Sequence, residues 1–386
     1  MKEHFTRFIN KELHRRKTCF SYKNNWQRLH IDPPLLIGIL LLMGSGFIIL
    51  FSASNENTSI IMRQLTSACI AFTCLFIFAQ IPPHKYKNWS PWVYLIGLSL
   101  LFVVLIIGTI GKGAQRWLNL GIIRFQPSEI MKFAVPMAVA WYFSQKPLPP
   151  NLRSVCLSGL LILIPVLLIA KQPDLGTALL VLFSGSIVLL FAGTSWRIIG
   201  SICLAAGIAG PILYQHLHEY QRKRVLTFLN PELDPLGSGY HIIQSKIAVG
   251  SGGLFGKGWL NGSQSHLHFL PEHTTDFIFA VCGEEFGLIG CLVVISLILF
   301  ILFRCLHIVR YAQDDYSRLL AAGLSLSFFL SAFVNIGMVT GILPVVGIPL
   351  PLVSYGGTSL VTLSMAFGIL MSIHTHRDVF SDMPFR

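Results

Sequence analysis

Residues 269–276, Phe-Leu-Pro-Glu-His-Thr-Thr-Asp, run directly into FIFAVCGEEFGLIGCLVVISLILFILF at 277–303. An apolar run of that length can cross a membrane, which takes roughly 17–25 residues, and it opens on the carboxylate of Asp276. A charged side chain at the mouth of a membrane helix is costly to place there, so it marks a functional site by default. The alternative is a helix N-cap, since aspartate is a preferred cap and its charge suits the helix dipole. The two roles can coexist, and this position alone does not separate them.

The rest of the chain agrees that a membrane is involved. Of 386 residues, 53% are hydrophobic and only 12% charged, and the mean hydropathy is +0.65. Soluble domains carry about 25% charged residues, so the composition excludes one. The polar, basic stretch from Met1 to Asp32 is followed by no cleavage site, and the first apolar run reads as a retained signal anchor. The eight cysteines are scattered, mostly in or beside apolar runs, with no metal spacing, and suggest neither a disulfide framework nor a zinc site.

Apolar runs near 35–53, 65–81, 92–110, 127–143, 155–170, 175–192, 198–214, 277–303, 319–339 and 356–373 predict an all-α integral membrane protein, a bundle of ten transmembrane helices. The fifth is short and holds Pro165, so it is expected to be tilted, broken or partly interfacial. The domain reading is a basic cytoplasmic tail over 1–34, a membrane domain over 35–374 and a C-terminal tail over 375–386. A large extracytoplasmic loop over 215–275 lies between helices 7 and 8. Most of the 29 Lys and Arg fall on the side of the termini, which places both termini in the cytoplasm. Lys112, Arg116, Arg124, Lys171, Arg222, Lys223, Arg224, Lys246 and Lys257 fall on the other side and suggest an anionic partner there. A solvated loop surface or lipid-headgroup contact is the alternative. The large loop has a turn at Asn230–Gly237, helix-like stretches at 214–228 and 240–249, and glycine-rich runs at 250–258. Its aromatic content argues for a membrane-hugging cap.

Glu129 and Lys132 stand three apart at the start of the fourth span, on one helix face. Buried and unpaired they would be prohibitive, so pairing with each other or with Asp276 is expected, either as a structural tie or as part of a site. Gly111–Leu120 is glycine-punctuated and basic but lacks the ending of a phosphate-binding P-loop. Asp174, in Gln172-Pro173-Asp174, reads as a cap of the sixth helix. Glu284 lies near the helix face that carries Asp276, and Glu285 follows it. Three prolines at 344–351 predict a non-helical, re-entrant backbone, tolerated in a membrane only when buried in protein or lining a cavity.

Five stretches, GKGAQRWLNLGIIRFQPSEIMK at 111–132, QPDLGT at 172–177, DPLGSGYHIIQSKIAVGSGGLFGKG at 234–258, Phe269–Gly287 and Asn335–Gly357, together resemble the SEDS family of shape, elongation, division and sporulation proteins. They sit nearer its RodA branch than its FtsW branch, and the likeness runs from the first span to Arg377. The resemblance implies a peptidoglycan glycosyltransferase that joins lipid II into β-1,4 glycan strands for elongation and rod shape, releasing undecaprenyl pyrophosphate. It implies location in the bacterial inner membrane with the active site on the periplasmic face. The implied partners are a class B penicillin-binding transpeptidase, other elongation-complex proteins and membrane lipid, and no nucleic acid. Asp276 matches the aspartate assigned to catalysis, and Glu129 and Lys132 match the family's intramembrane pair. Here His273 stands three residues before the aspartate, where the family's commoner Pro-Glu-(Arg/Gly)-His-Thr-Asp has it two before.

Such a reaction needs a base for the acceptor hydroxyl, for which Asp276 is the candidate, and cationic groups for the departing pyrophosphate. Arg116, Lys112, Lys246 and Lys257, with Ser354 and Tyr355, are the candidate binding set. No cofactor is required by the chemistry, although a divalent cation, magnesium or manganese, could share the pyrophosphate, and no metal ligands are assigned. Two other functions fit parts of the pattern. A lipid II flippase would suit intramembrane charges and broken spans, but the charged groups gather at the outer edge and no inverted repeat is visible. A non-enzymatic scaffold that activates the transpeptidase would tolerate loss of Asp276. The eighth or ninth span is the expected partner face.

Overall fold

The computed structural model describes residues 29–111, 114–119, 124–201, 204, 207, 238–266, 269 and 272–376. Most of the N-terminal tail, most of the seventh span, the Asn230–Gly237 turn, Lys112, Arg222, Lys223, Arg224 and the chain from 377 lie outside the described residues. The helices are α1 Pro33–Ala53, α2 Thr58–Gln80, α3 Pro83–Ile107, α4 Pro127–Phe143, α5 Leu152–Lys171, α6 Leu175–Phe191, α7 Ser238–Ser251, α8 Ser263–His266, α9 Ile278–Arg310, α10 Asp315–Val339 and α11 Gly357–Thr375. Among the described residues, seven of them (α1, α2, α3, α5, α9, α10 and α11) are long and apolar enough to cross a membrane, and α6 is a shorter apolar helix. The protein is a multi-pass, helical membrane protein.

Small residues set how closely these helices meet. Apolar side chains gain little by leaving lipid for a neighbouring helix, so association rests on close van der Waals packing. On α2 the buried stripe is Ala68, Ala71, Leu75 and Ala79, one face at helical spacing. Against it α11 brings Gly368, where a Cβ would lie 2.6 Å from the Leu75 carbonyl oxygen. Only a glycine lets the two backbones approach this far.

Helices α1 and α9 run antiparallel and are pinned at both ends. At one end the fully buried Asp32 caps α1 through the Leu35 N–H, and Arg304 donates to both its oxygens at 2.9–3.1 Å. At the other, the Ser52 hydroxyl donates to Glu285. About twenty helical residues separate the two pins, roughly 30 Å, which matches the hydrocarbon thickness of a bilayer.

Three features differ from the sequence reading. Residues 109–125 hold a three-stranded antiparallel sheet, β1 Thr109–Gly111, β2 Ala114–Asn119 and β3 Arg124–Phe125, in what reads as an all-α protein. The fifth crossing, α5, is one continuous helix with Pro165 buried inside it, which overturns only the broken alternative, since neighbouring helices tolerate proline in a packed span. The eighth is not one helix, because α9 breaks at Gly287, whose φ of 64° and ψ of −158° no helix contains.

Candidate active site

Asp276 sits immediately before α9, but the N-cap position belongs to Phe277, which makes no side-chain cap hydrogen bond. The backbone of Asp276 and of its neighbours is held by side chains and backbone from distant parts of the chain. Asn335, fully buried on α10, donates from one amide nitrogen to the Asp276 carbonyl at 2.8 Å and to the Ile348 carbonyl at 2.7 Å. The Ser354 hydroxyl donates to the Thr275 carbonyl at 2.5 Å, and the Tyr355 N–H to the Thr274 carbonyl at 3.0 Å. Gln64 of α2 grips the same segment from the far side, donating to the Ser354 carbonyl and accepting from the Gly356 N–H, both at 3.3 Å.

The segment that does this is the expected re-entrant one. Residues 341–356 form no helix, and Ile348, Leu350, Leu352, Val353 and Ser354 are buried. Buried backbone polar groups must find partners, and the Ser354 hydroxyl, which accepts from the Leu350 N–H at 2.8 Å, supplies one. Gly347 faces Asp276: a Cβ there would lie 3.4 Å from Asp276 Oδ2, and its φ of +72° favours glycine.

Glu129 and Lys132 pair with each other. Lys132 Nζ is 2.6 Å from Glu129 Oε1, and the Thr362 hydroxyl of α11 donates to Glu129 Oε2 at 3.2 Å. The pair lines a cavity of about 60 Å³ whose other polar lining is Ser327, Ser331, Ser359 and Thr362, and which Ile348, Pro349 and Pro351 also line. The re-entrant segment therefore touches both charged sites, anchoring the backbone at 274–275 and lining the same cavity as the ion pair.

The candidate cation-binding residues divide. Arg116 on β2 directs its guanidinium to the Gln172 and Pro173 carbonyls, and lies 3.8 Å from Asp174. Asp174 is the expected N-cap of α6, accepting from the Thr177 N–H and hydroxyl and from Gln126. Lys257 is bound to the buried Glu284 at 2.7 Å. Lys246 is exposed on α7, and its aliphatic chain passes over Gly341 at the C-terminal end of α10. Among the described residues, no three His, Cys, Asp or Glu side chains gather to hold a metal ion. The sequence reading did not single out Asn335 or Gln64 as anchors. Buried amides in apolar helices are a signal for such a role, but neither spacing nor pattern reveals which distant carbonyls they meet.

Comparison with known proteins agrees with this architecture. The family model described as FtsW/RodA/SpoVE cell cycle protein matches residues 31–379. Peptidoglycan glycosyltransferase MrdB of Escherichia coli K12 is 51% identical over 360 residues, 93% of this chain and 97% of that protein. A chain of a peptidoglycan synthase complex, solved for its structural coordination of polymerization and crosslinking, superposes with a TM-score of 0.78 at 31% identity, covering 90% of this chain and 99% of that one. The rod shape determining protein RodA of Thermus thermophilus superposes with a TM-score of 0.68 at 27% identity, covering 90% and 98%. The chain belongs to the FtsW/RodA/SpoVE family, the SEDS proteins its motifs resemble.

Proposed function

We propose that this chain, a peptidoglycan glycosyltransferase, uses Asp276 as the base that joins lipid II units. The observation that carries the reading is the triple backbone anchoring of residues 274–276 by Tyr355, Ser354 and Asn335. A reacting group gains most when its geometry is fixed before the substrate arrives. In the step, the acceptor sugar's 4-hydroxyl gives its proton to the Asp276 carboxylate as its oxygen attacks the donor's anomeric carbon. The bond from that carbon to the pyrophosphate oxygen breaks with inversion, and undecaprenyl pyrophosphate leaves as the anion. One carboxylate suffices, because no glycosyl-enzyme intermediate forms.

Lys246 is the best-supported residue for the leaving pyrophosphate, since Arg116 and Lys257 are engaged in protein contacts. A magnesium or manganese ion would be held by the Asp276 carboxylate and would supply charge neutralisation for the leaving pyrophosphate. Ten crossings in the bacterial inner membrane put both termini, with the Asp32–Arg304 pin, in the cytoplasm and Asp276 at the periplasmic edge. The partner is a class B penicillin-binding transpeptidase. The likeness to a chain of a peptidoglycan synthase complex supports this, as does the exposed apolar face of α9 (Leu288, Ile289, Leu292, Phe303).

The test uses the purified complex with labelled lipid II and a β-lactam to silence the transpeptidase. Glycan ladders are the expected product. Lipid II translocated across vesicles without ladders would move the function to a flippase. Neither product, with ladders restored by adding an unrelated polymerase, would leave a scaffold.

A further inference from the structure

The break in α9 is filled by another part of the chain. In an unbroken helix the Leu288 N–H would pair with the Glu284 carbonyl, and the Ile289 N–H with that of Glu285. Here the four groups turn outward to the glycine-rich loop. Leu288 donates to the Gly253 carbonyl at 3.0 Å and Ile289 to that of Leu254 at 3.3 Å. In return Lys257 and Gly258 donate to the Glu284 and Glu285 carbonyls, both at 3.0 Å. The fit is tight: a Cβ on Gly252 would lie 1.9 Å from the Gly283 oxygen, and one on Gly256 2.1 Å from that of Glu285. The loop is then clamped from outside. Lys257 Nζ, the Ser263 hydroxyl and the Gln264 N–H converge on Glu284 Oε1 at 2.7, 3.0 and 3.1 Å, and Glu284 is fully buried.

We propose that the Lys257–Glu284 pair is a latch that holds the glycine-rich loop in the α9 break and thereby positions Asp276. The lower half of α9 is fixed to α1 by Arg304 and Asp32. The upper half, 278–286, begins two residues after Asp276 and is joined to the lower only through Gly287, at a conformation that glycine alone adopts readily. Helix continuity therefore does not set the angle between the halves; the loop in the gap sets it, together with the Ser52–Glu285 contact to α1. Lys257 and Glu284 are positioning residues, and Lys257 does not bind pyrophosphate. The inference rests on the reading of Asp276 as the base. Displacement of a reacting group by about 1 Å can cost on the order of a hundredfold in rate.

The first measurement is hydrogen exchange on the native full-length protein. Strong protection at Lys257, Gly258, Leu288 and Ile289 is expected, and exchange at the rate of exposed loop amides would overturn the latch. The second compares Lys257→Met, Glu284→Gln and the double variant with lipid II. A latch lowers kcat by about tenfold or more in each, leaves KM unchanged, and makes the double no worse than the worse single variant, as coupled sites do. Lys257→Arg restores turnover. A raised KM in Lys257→Met beside an unaffected Glu284→Gln would instead return Lys257 to substrate binding. Should a variant fail to fold, native exchange and the Lys257→Arg kinetics decide. The two readings separate cleanly: undiminished turnover in Asp276→Asn would remove the base, while the loss of protection at 288–289 in Lys257→Met still reports the latch.

Discussion

Asn335 uses one amide nitrogen to hold two carbonyls, that of Asp276 and that of Ile348, in a fully buried position. Replacing it with leucine strands both acceptors, and each unsatisfied buried group costs about 1–3 kcal/mol. Asn335→Leu is therefore expected to lower the unfolding temperature in detergent and to reduce turnover, while Asn335→Gln loses less; thermal unfolding beside lipid II kinetics checks both. Arg116 makes a contrasting case, because its guanidinium ties β2 to the 172–174 turn. Arg116→Ala should lower stability without raising KM for lipid II, and a raised KM would return Arg116 to the substrate. At this scale the sequence is informative about charges: Asp276, Glu129 and Lys132 stand out because charge in a membrane is expensive. Their partners do not stand out. Gln64 reaches Ser354 across 290 residues of chain, and Asn335 and Ser354 reach Asp276 and Thr275 across 59 and 79, and no local pattern encodes such meetings.

The elements repeat that division. Spans announce themselves as apolar runs, and the re-entrant segment announces itself through its prolines. The strands at 109–125 were too short to show alternation against their glycines, and the break in α9 was hidden because glycine is ordinary in membrane helices. Its consequence can be measured with two neighbouring glycines. Gly252→Ala drives a Cβ to 1.9 Å from the Gly283 oxygen, whereas the Cβ at Gly253 meets nothing within 4 Å and bears only a φ of +57°. Gly252→Ala should unseat the loop and abolish most glycan synthesis. Gly253→Ala should cost about 1 kcal/mol, the usual strain of a left-handed residue, and keep most activity. Equal effects would mean that the loop is not seated in the helix.

Over the whole molecule, two pins about 30 Å apart fix α1 against α9 across the bilayer. The Asp32 side is the stronger, since Asp32 is fully buried and Arg304 contacts both its oxygens, with His374 Nε2 3.5 Å away. Removing one partner of a buried pair costs about 3–5 kcal/mol because the other charge is left stranded. Arg304→Ala should thus reduce folded protein in the membrane sharply, with Asp32→Asn on the same background recovering part of it. Unchanged thermal stability in Arg304→Ala would show that the pin contributes little. Loss through this pin is a loss of fold, whereas loss at Asp276 is a loss of chemistry alone. The deciding measurement is accordingly the initial rate of glycan formation from labelled lipid II by the native complex and by Asp276→Asn, with folding of both verified by thermal unfolding. The account predicts a rate about 10²–10⁴-fold lower in Asp276→Asn, the usual contribution of a general base, with lipid II still bound. Equal rates in two folded proteins would contradict it.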